Sequence, residues 1–376
     1  MKSPICDLLG IEFPLFAFSH CRDVVAAVSR AGGFGVLGAT GHSPESIHRE
    51  LKWIDEHIDG KPYGLDVLVP ENMATAGEVG VTYNSLKTRV PQEHRQFAAD
   101  LLEKAGVQLA VLEVSDDRPQ PFDPETALRV LEAAFEHPIK LIANALGVPP
   151  EPMIEMGRQH GVPVAALVGA PEHAVRQAKA GVDLIVAQGG EAGGHCGEVS
   201  TIVLIPEVLR AIKPIRNVPV LAAGGIMTGR QMAGCMAMGA AGVWTGSVWL
   251  ATQESETSEI FREKMIAARS RDTVRSRGRT GKPARQLKSA WTDAWEASGG
   301  PGTLPMPLQS LISEPALEVA QRSAARGNPK ARELVTYFVG QGVGLVDSVK
   351  TCRSVVNEFM EDFAAALSDM QDLAQE

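Results

Sequence analysis

Residues 218–247 read VPVLAAGGIMTGRQMAGCMAMGAAGVWTGS, and this stretch decides the fold class. An apolar run, VPVLAA, ends at the pair Gly224 and Gly225. A helix-like segment, RQMAGCMAMGA, follows it, and a second apolar run, GVWTGS, begins directly afterwards. Nearly continuous apolar strands that alternate with helices are typical of a parallel sheet covered on both faces. The stretch therefore predicts a strand–helix–strand unit of an α/β protein.

The same kind of apolar run recurs along the chain. The candidate strands are 13–19, 34–40, 63–69, 108–114, 139–146, 163–169, 182–189, 218–226 and 242–248. A closed β/α barrel needs eight strands, and we exclude 108–114 because a polar stretch with prolines follows it. The rival architecture, an open doubly wound sheet, usually has a GxGxxG turn after its first strand. The first turn here, AFSHCRD, lacks one, so we expect a TIM-type (β/α)8 barrel.

The pattern changes after residue 250. Residues 253–310 contain no buried-strand run, carry many Arg and Lys residues, and end in a Gly/Pro-rich break. The tail from residue 311 has a helical pattern again. We expect residues 1–252 and 311–376 to form the barrel with C-terminal helices, and 253–310 to form a small, mostly helical inserted domain.

Composition and charge narrow the classes of partner. The net charge is −9 and the pI is about 5.6, which disfavours nucleic acid because phosphate binding requires a basic face. The chain has no continuous apolar run of about 18 residues, and its first residues lack the apolar core of a signal peptide. Five scattered cysteines form no CxxC pair. We expect a cytoplasmic protein with reduced thiols, no membrane partner and no metal site.

The ends of the predicted strands are rich in small residues, which leaves room for a ligand. In a β/α barrel the active site lies at the C-terminal ends of the strands, and the loops after the last two strands commonly bind phosphate. Gly224 and Gly225 follow one of these strands, and Gly246 and Ser247 follow the other. Backbone N–H groups at such positions can cradle a phosphate. The alternative is that the glycines only make tight turns.

The stretch 187–199, AQGGEAGGHCGEV, surrounds His195 with residues that have almost no side chains. The amide of Gln188 can bond to a ring carbonyl or ring N–H, and Gly193 lets the backbone approach a flat ligand closely. Neutral imidazole is a good base near pH 7, so His195 is the catalytic candidate, with a structural histidine as the alternative. We expect Glu191 to point away into a structural hydrogen bond.

Taken with the downstream segments VPVLAAGGI and WTGSVWLATQES, the stretch VDLIVAQGGEAGGHCG resembles the nitronate monooxygenases, or 2-nitropropane dioxygenases. The resemblance covers most of the chain and implies an FMN-binding β/α barrel with a small inserted domain. It implies that His195 is the catalytic histidine. It also implies an FMN site made of Ala17, Phe18 and Ser19 after the first strand, Asp66 in the third, Gln188 and Gly193 at the flavin ring, and Gly224, Gly225, Gly246 and Ser247 at the phosphate.

The sequence departs from the family pattern at three places. The first strand, normally APMAG-like, reads AFSHC. Asp66 stands where the family usually has asparagine, and the usual Gly-Thr-Arg after the eighth strand is Gly246-Ser247-Val248.

Three functions from different classes fit this pattern. The first is an FMN-dependent monooxygenase that oxidises alkyl nitronates with O2 to a carbonyl compound and nitrite, its partners being a small-molecule substrate and O2. The second is an NAD(P)H-dependent flavin reductase of quinones or enoyl thioesters. The third is a non-catalytic nucleotide-binding barrel. The glycine-flanked His195 argues against this function, because phosphate binding alone does not require a histidine there. The sequence leaves a homo-oligomeric state open.

Overall fold

The computed structural model describes residues 3–68, 83–107 and 124–375. Its strands are β1 (Leu15–Ser19), β2 (Phe34–Gly38), β3 (Tyr63–Val67), β4 (Leu141–Asn144), β5 (Val164–Val168), β6 (Leu184–Gln188), β7 (Gly194–His195), β8 (Val220–Ala223), β9 (Gly242–Thr245), β10 (Thr273–Ser276) and β11 (Ala284–Leu287). Eight of them close into a barrel in the order β1-β2-β3-β4-β5-β6-β8-β9. All neighbouring pairs are parallel, which confirms the predicted TIM-type barrel.

Each barrel strand lies inside one of the predicted apolar runs. The ninth run, 108–114, lies outside the described residues. The barrel closes without it, because β3 pairs directly with β4 in the register Gly64↔Leu141.

Helices surround the barrel and continue beyond it. They are α1 (Pro4–Leu9), α2 (Arg22–Arg30), α3 (Pro44–His57), α4 (Tyr83–Arg89), α5 (Gln92–Lys104), α6 (Pro124–Phe135), α7 (Glu151–His160), α8 (Pro171–Ala180), α9 (Thr201–Ile212), α10 (Gly229–Ala237), α11 (Glu259–Ala267), α12 (Ala290–Glu296), α13 (Leu308–Ala325), α14 (Pro329–Leu334) and α15 (Cys352–Gln375). Glycines at 161 and 181 end α7 and α8 in the left-handed conformation, in which glycine commonly terminates a helix.

Large apolar side chains fill the barrel. Phe16, Phe34, Leu141 and Trp244 belong to one buried cluster, and the rings of Phe16 and Phe34 lie 5.0 Å apart. Side chains of a strand alternate between its two faces, so the neighbours of these residues point outwards into the helix layer. The barrel is therefore a packed core rather than a pore, and a ligand must bind at one of its ends.

The segment 253–310 contains the helices α11 and α12, as expected, and also two strands that the sequence did not reveal. β10 and β11 pair in antiparallel fashion, and β11 pairs with the short strand β7. Both strands of the segment are short and carry arginines, TVRS and ARQL, so they leave no apolar run. This three-stranded sheet attaches the segment to the loop that carries His195.

A second apolar cluster holds this segment to its surroundings. Trp291 and Trp295 of α12 share it with Leu102 of α5 and with Ile312 and Leu317 of α13. The predicted boundary of the inserted domain, 253–310, remains a prediction, because the packing extends on both sides of it.

In the part of the chain that the structure describes, no helix combines the length and apolar character needed to cross a bilayer. The five cysteines are free, and four of them are buried.

Candidate active site

The loop after β6 is folded back by its own hydrogen bonds. The Glu191 carboxylate accepts bonds from the backbone N–H of Thr201 (2.9 Å) and from its hydroxyl (2.8 Å). The N–H of Gly190 donates to the carbonyl of Val199 over 2.7 Å. The expectation that Glu191 is engaged in a structural hydrogen bond is therefore confirmed.

His195 lies on β7, where it pairs with Ala284 of β11. Its ring is half-buried, and its Nε2 lies 2.9 Å from the hydroxyl oxygen of Thr280. Burial, followed by the positive charge of Lys282, lowers the pKa of His195 from 6.5 to about 4. Because both effects disfavour the imidazolium ion, the ring is neutral at physiological pH and one of its nitrogens keeps a free lone pair.

Thr280 and Lys282 come from the turn between β10 and β11. The Thr280 hydroxyl donates to the carbonyl of Lys282 (3.1 Å) and accepts from its N–H (3.3 Å). The Lys282 side chain is half-buried, and burial lowers the pKa of its ammonium group. Within residues 3–68, 83–107 and 124–375 this ammonium makes no ion pair, so the turn places an uncompensated positive charge beside His195.

The segment 337–344 of the tail packs on the same loop. The N–H of Gln341 donates to the carbonyl of Glu191 over 2.8 Å. A Cβ on Gly193 would lie 2.9 Å from the backbone nitrogen of Gly340, closer than real Cβ atoms come. Gly193 is therefore required by close packing of two backbones, a reason that sequence inspection did not supply.

Gly224 and Gly225 follow β8 with φ angles of 114° and 69°, both in the left-handed region. A Cβ on Gly224 would lie 2.7 Å from the Thr201 hydroxyl oxygen, and one on Gly225 would lie 3.0 Å from Cβ of Glu191. Both glycines are thus required by the backbone and by protein neighbours. This finding supports the turn interpretation alongside the predicted phosphate cradle, which remains a proposal.

Gly246 and Ser247 follow β9 and are half-buried. A Cβ on Gly246 would meet nothing within 4 Å, so the space beside it is open. The Ser247 hydroxyl oxygen accepts a bond of 2.9 Å from the N–H of Gly340. Its proton has no acceptor among the described residues and is available to a ligand.

The predicted residues of β1 face different ways. Ala17 is fully buried in the cluster beneath α2 and α10, so its side chain does not face the barrel interior. Phe18 is half-buried, and its ring stacks on Trp244 at 6.4 Å. The Ser19 hydroxyl oxygen accepts a 3.1 Å bond from the N–H of Cys21, the residue before α2. Of these three side chains, only Phe18 and Ser19 are partly open at the strand end.

Asp66 points into the barrel from β3, because Leu65 and Val67 beside it face the helix layer. It is 3% exposed, and its Oδ1 is buried without a hydrogen-bond partner among the described residues. Burial raises the pKa of this carboxyl well above its ordinary value, so the group favours its neutral form. A neutral carboxyl can donate as well as accept, like the asparagine usual in the family.

Gln188 ends β6 in register with Ala223 of β8 and is half-buried. Its side-chain amide makes no hydrogen bond to any described residue. Like the Asp66 carboxyl, it offers unused polar atoms at the carboxyl end of the barrel.

Thr280, Lys282 and Arg285 are the neighbours of this site that sequence inspection missed. The Arg285 Nε donates to the carbonyl of Gly190 over 2.9 Å and so holds the loop after β6. These residues lie in a charged stretch without an apolar pattern, and no local signal marks them as part of the site.

A parallel barrel with a neutral, half-buried histidine and unused polar groups at the carboxyl ends of its strands defines a β/α-barrel enzyme. Residues 2–362 match the nitronate monooxygenase family, and the chain belongs to that family. It is therefore a flavin-dependent oxidoreductase rather than a non-catalytic nucleotide-binding barrel.

Individual relatives agree with this assignment. A Mycobacterium tuberculosis protein, named as a monooxygenase without a stated substrate, is 52% identical over 100% of both chains. A Staphylococcus saprophyticus protein named "Probable nitronate monooxygenase" is 28% identical over 77% of this chain and 79% of its own.

Solved structures show the same fold. A nitroalkane oxidase from Streptomyces ansochromogenes superposes with a TM-score of 0.78 at 23% identity, covering 97% of this chain and 99% of that one. FabK from Thermotoga maritima gives a TM-score of 0.73 at 25% identity over 99% of both chains.

The residues present fit a flavin mononucleotide. Asp66 Oδ1 is a buried polar atom without a partner among the described residues, and the Gln188 amide is uncommitted within them. The space beside Gly246 is open, and the Ser247 proton points to no described acceptor. Polar groups for a ring and room for a phosphate therefore occur at the same end of the barrel.

Proposed function

We propose that the protein is an FMN-dependent monooxygenase that oxidises alkyl nitronates with O2 to a carbonyl compound and nitrite. The observation that carries this proposal is a neutral histidine beside a lysine that makes no ion pair with any described residue, in a chain of the nitronate monooxygenase family. When bound, the flavin accepts electrons from the substrate, and the remaining tasks belong to the side chains.

His195 and Lys282 have separate roles in the proposed reaction. His195 takes the proton from the carbon next to the nitro group of a neutral nitroalkane. The Lys282 ammonium favours the anionic nitronate over the neutral nitroalkane, since opposite charges attract strongly in a partly buried site. Together they form the nitronate anion and hold it in the site.

FMN binding uses the predicted set of residues. Backbone groups at Gly224, Gly225 and Gly246 and the hydroxyl of Ser247 would hold the phosphate, while Gln188, Gly193 and a protonated Asp66 would contact the ring. Phe18 and Ser19 would lie beside them, whereas the Ala17 side chain faces the helix layer. The sequence has no adenine-binding fingerprint, which favours FMN over FAD.

Substitution of the base tests the reaction. His195→Asn should retain flavin and lose about 10²–10⁴-fold in kcat/KM with neutral nitroalkane, the usual contribution of a general base. Activity with preformed nitronate should fall less, because its proton is already gone. Steady-state O2 consumption measures both.

His160→Asn, an exposed histidine on α7, is the matched control and should behave as wild type. An equal loss with both substrates would assign His195 to anion binding instead of proton transfer. No loss with either substrate would make the histidine structural.

The cofactor and the electron donor are tested on the purified protein. We expect a yellow protein that releases FMN, and not FAD, on heating. Anaerobic NADH should bleach the flavin slowly and nitronate should reduce it faster. Rapid bleaching by NADH would instead favour the flavin reductase. A colourless protein that FMN does not reconstitute would contradict the proposal.

We also propose that the protein is cytoplasmic. Its partners in this proposal are a small-molecule substrate and O2, and nucleic acid is not among them. A homo-oligomeric state stays open within it.

A further inference from the structure

The contact between His195 and Thr280 determines which ring nitrogen is basic. A neutral imidazole has one N–H donor and one nitrogen with a lone pair, and the hydrogen bonds around it decide which is which. Nε2 lies 2.9 Å from Thr280 Oγ1. In the part of the chain that the structure describes, Nδ1 has no hydrogen-bond partner.

The hydroxyl of Thr280 has three neighbours at hydrogen-bond distance. They are His195 Nε2 at 2.9 Å, the carbonyl oxygen of Lys282 at 3.1 Å and the N–H of Lys282 at 3.3 Å. A hydroxyl donates one hydrogen bond and accepts up to two. The Lys282 carbonyl can only accept, and the Lys282 N–H can only donate.

Counting bonds separates the two tautomers. If Nε2 carries the proton, it donates to Thr280, whose own proton goes to the Lys282 carbonyl, so all three contacts are hydrogen bonds. If Nδ1 carries the proton, the Thr280 hydroxyl must turn to Nε2, and the Lys282 carbonyl loses this donor. Leaving a partly buried carbonyl without its hydrogen-bond donor costs free energy, so the first arrangement is favoured.

We propose that Thr280 is a positioning residue that holds His195 as its Nε2–H tautomer and leaves Nδ1 as the basic nitrogen. Its catalytic consequence rests on the proposed function, whereas the tautomer does not. Thr280 acts through His195: it fixes the ring plane and reserves one nitrogen for the proton of the substrate.

The tautomer is measured directly on the flavin-loaded enzyme. In protein labelled with 15N-histidine, long-range 1H–15N spectra distinguish a protonated ring nitrogen from an unprotonated one. The His195 signals are assigned by their absence in His195→Asn. We expect Nε2 to be protonated and Nδ1 to be unprotonated at pH 7, and the opposite assignment would overturn the proposal.

Two substitutions at Thr280 test the cause. Thr280→Val keeps the shape and removes the hydroxyl, so His195 should become a mixture of tautomers. Thr280→Ser keeps the hydroxyl and should restore the wild-type spectrum. A pure Nε2–H tautomer in Thr280→Val would show that another group sets it and would contradict the proposal.

A matched control comes from the same sheet. Thr273 on β10 bonds to Arg285 and to the carbonyl of Ser270. Thr273→Val should leave the His195 tautomer unchanged, because Thr280 is intact and Arg285 keeps its bond to the carbonyl of Gly190. If Thr280→Val does not fold, the spectra of wild type and Thr280→Ser still decide the tautomer.

Kinetics separate this proposal from the proposed function. Thr280→Val should lower kcat with neutral nitroalkane about 10–100-fold, because a mispositioned base loses much of its effect. KM and turnover of preformed nitronate should change less. If wild type shows the Nε2–H tautomer but turns over no nitroalkane, the proposed function fails and the tautomer assignment stands.

Discussion

At the scale of single residues, burial and one nearby charge control the chemistry of His195. An imidazole in water is half protonated at pH 6.5. At a lower pH most of it is protonated and cannot act as a base. Here the surrounding protein and Lys282 lower its pKa to about 4. The neutral form therefore persists over a wider pH range, and the same shift makes the ring a weaker base.

The pH profile of the reaction tests this shift. Because neutral His195 is the active form, kcat/KM with neutral nitroalkane should be constant above the pKa and fall as the pH drops through about 4. Steady-state assays from pH 3.5 to 8, with flavin circular dichroism as a check on folding, measure it. An acidic limb near 6.5 would show that the ring is well solvated in the working enzyme, and His195→Asn should lack the limb altogether.

At the scale of elements, the contact between α10 and α15 depends on a glycine. Gly229 begins α10, and a Cβ there would overlap the carbonyl oxygen of Phe359 and lie 2.5 Å from the nitrogen of Phe363. These are backbone atoms of α15, so a change of rotamer cannot relieve the clash. Gly234 lies in the same helix with nothing within 4 Å of such a Cβ.

This pair of glycines allows a matched stability test. Gly229→Ala should destabilise the protein by about 1–3 kcal/mol, as overpacking does, or more because backbone must move. Gly234→Ala should stabilise it by about 0.5–1 kcal/mol, since alanine favours a helix interior. Thermal unfolding of both variants and of wild type shows whether each substitution raises or lowers the stability. Equal stability of both variants would contradict the described packing of α15.

At the scale of the whole molecule, the site is assembled from segments far apart in the chain. The barrel supplies Asp66, Gln188 and Ser247 at the ends of three different strands or just beyond them. The loop after β6 supplies His195, and the β10–β11 turn supplies Thr280, which is 85 residues away in sequence. The tail then covers the same loop through Gly340. A change in any of these segments can therefore affect the histidine.

The sequence by itself determined the barrel, because apolar strands and the glycines between helix and strand are local patterns. It also predicted that His195 is the catalytic candidate and that Glu191 makes a structural hydrogen bond. Both predictions came from the glycine-rich stretch around His195, which can be recognised from the sequence alone. The FMN residues it named remain proposals, although neither Asp66 Oδ1 nor the Gln188 amide has a hydrogen-bond partner among the described residues.

Only the tertiary structure decided what surrounds the histidine. β10 and β11 are short and charged, so nothing local predicts that β11 pairs with β7 or that Thr280 reaches Nε2. The reasons for Gly193, Gly224 and Gly225 are likewise contacts with distant backbone or side-chain atoms. Hydrophobic periodicity specifies which face of an element is buried. Which atoms then meet across the site depends on how the buried faces pack, and that information is not local.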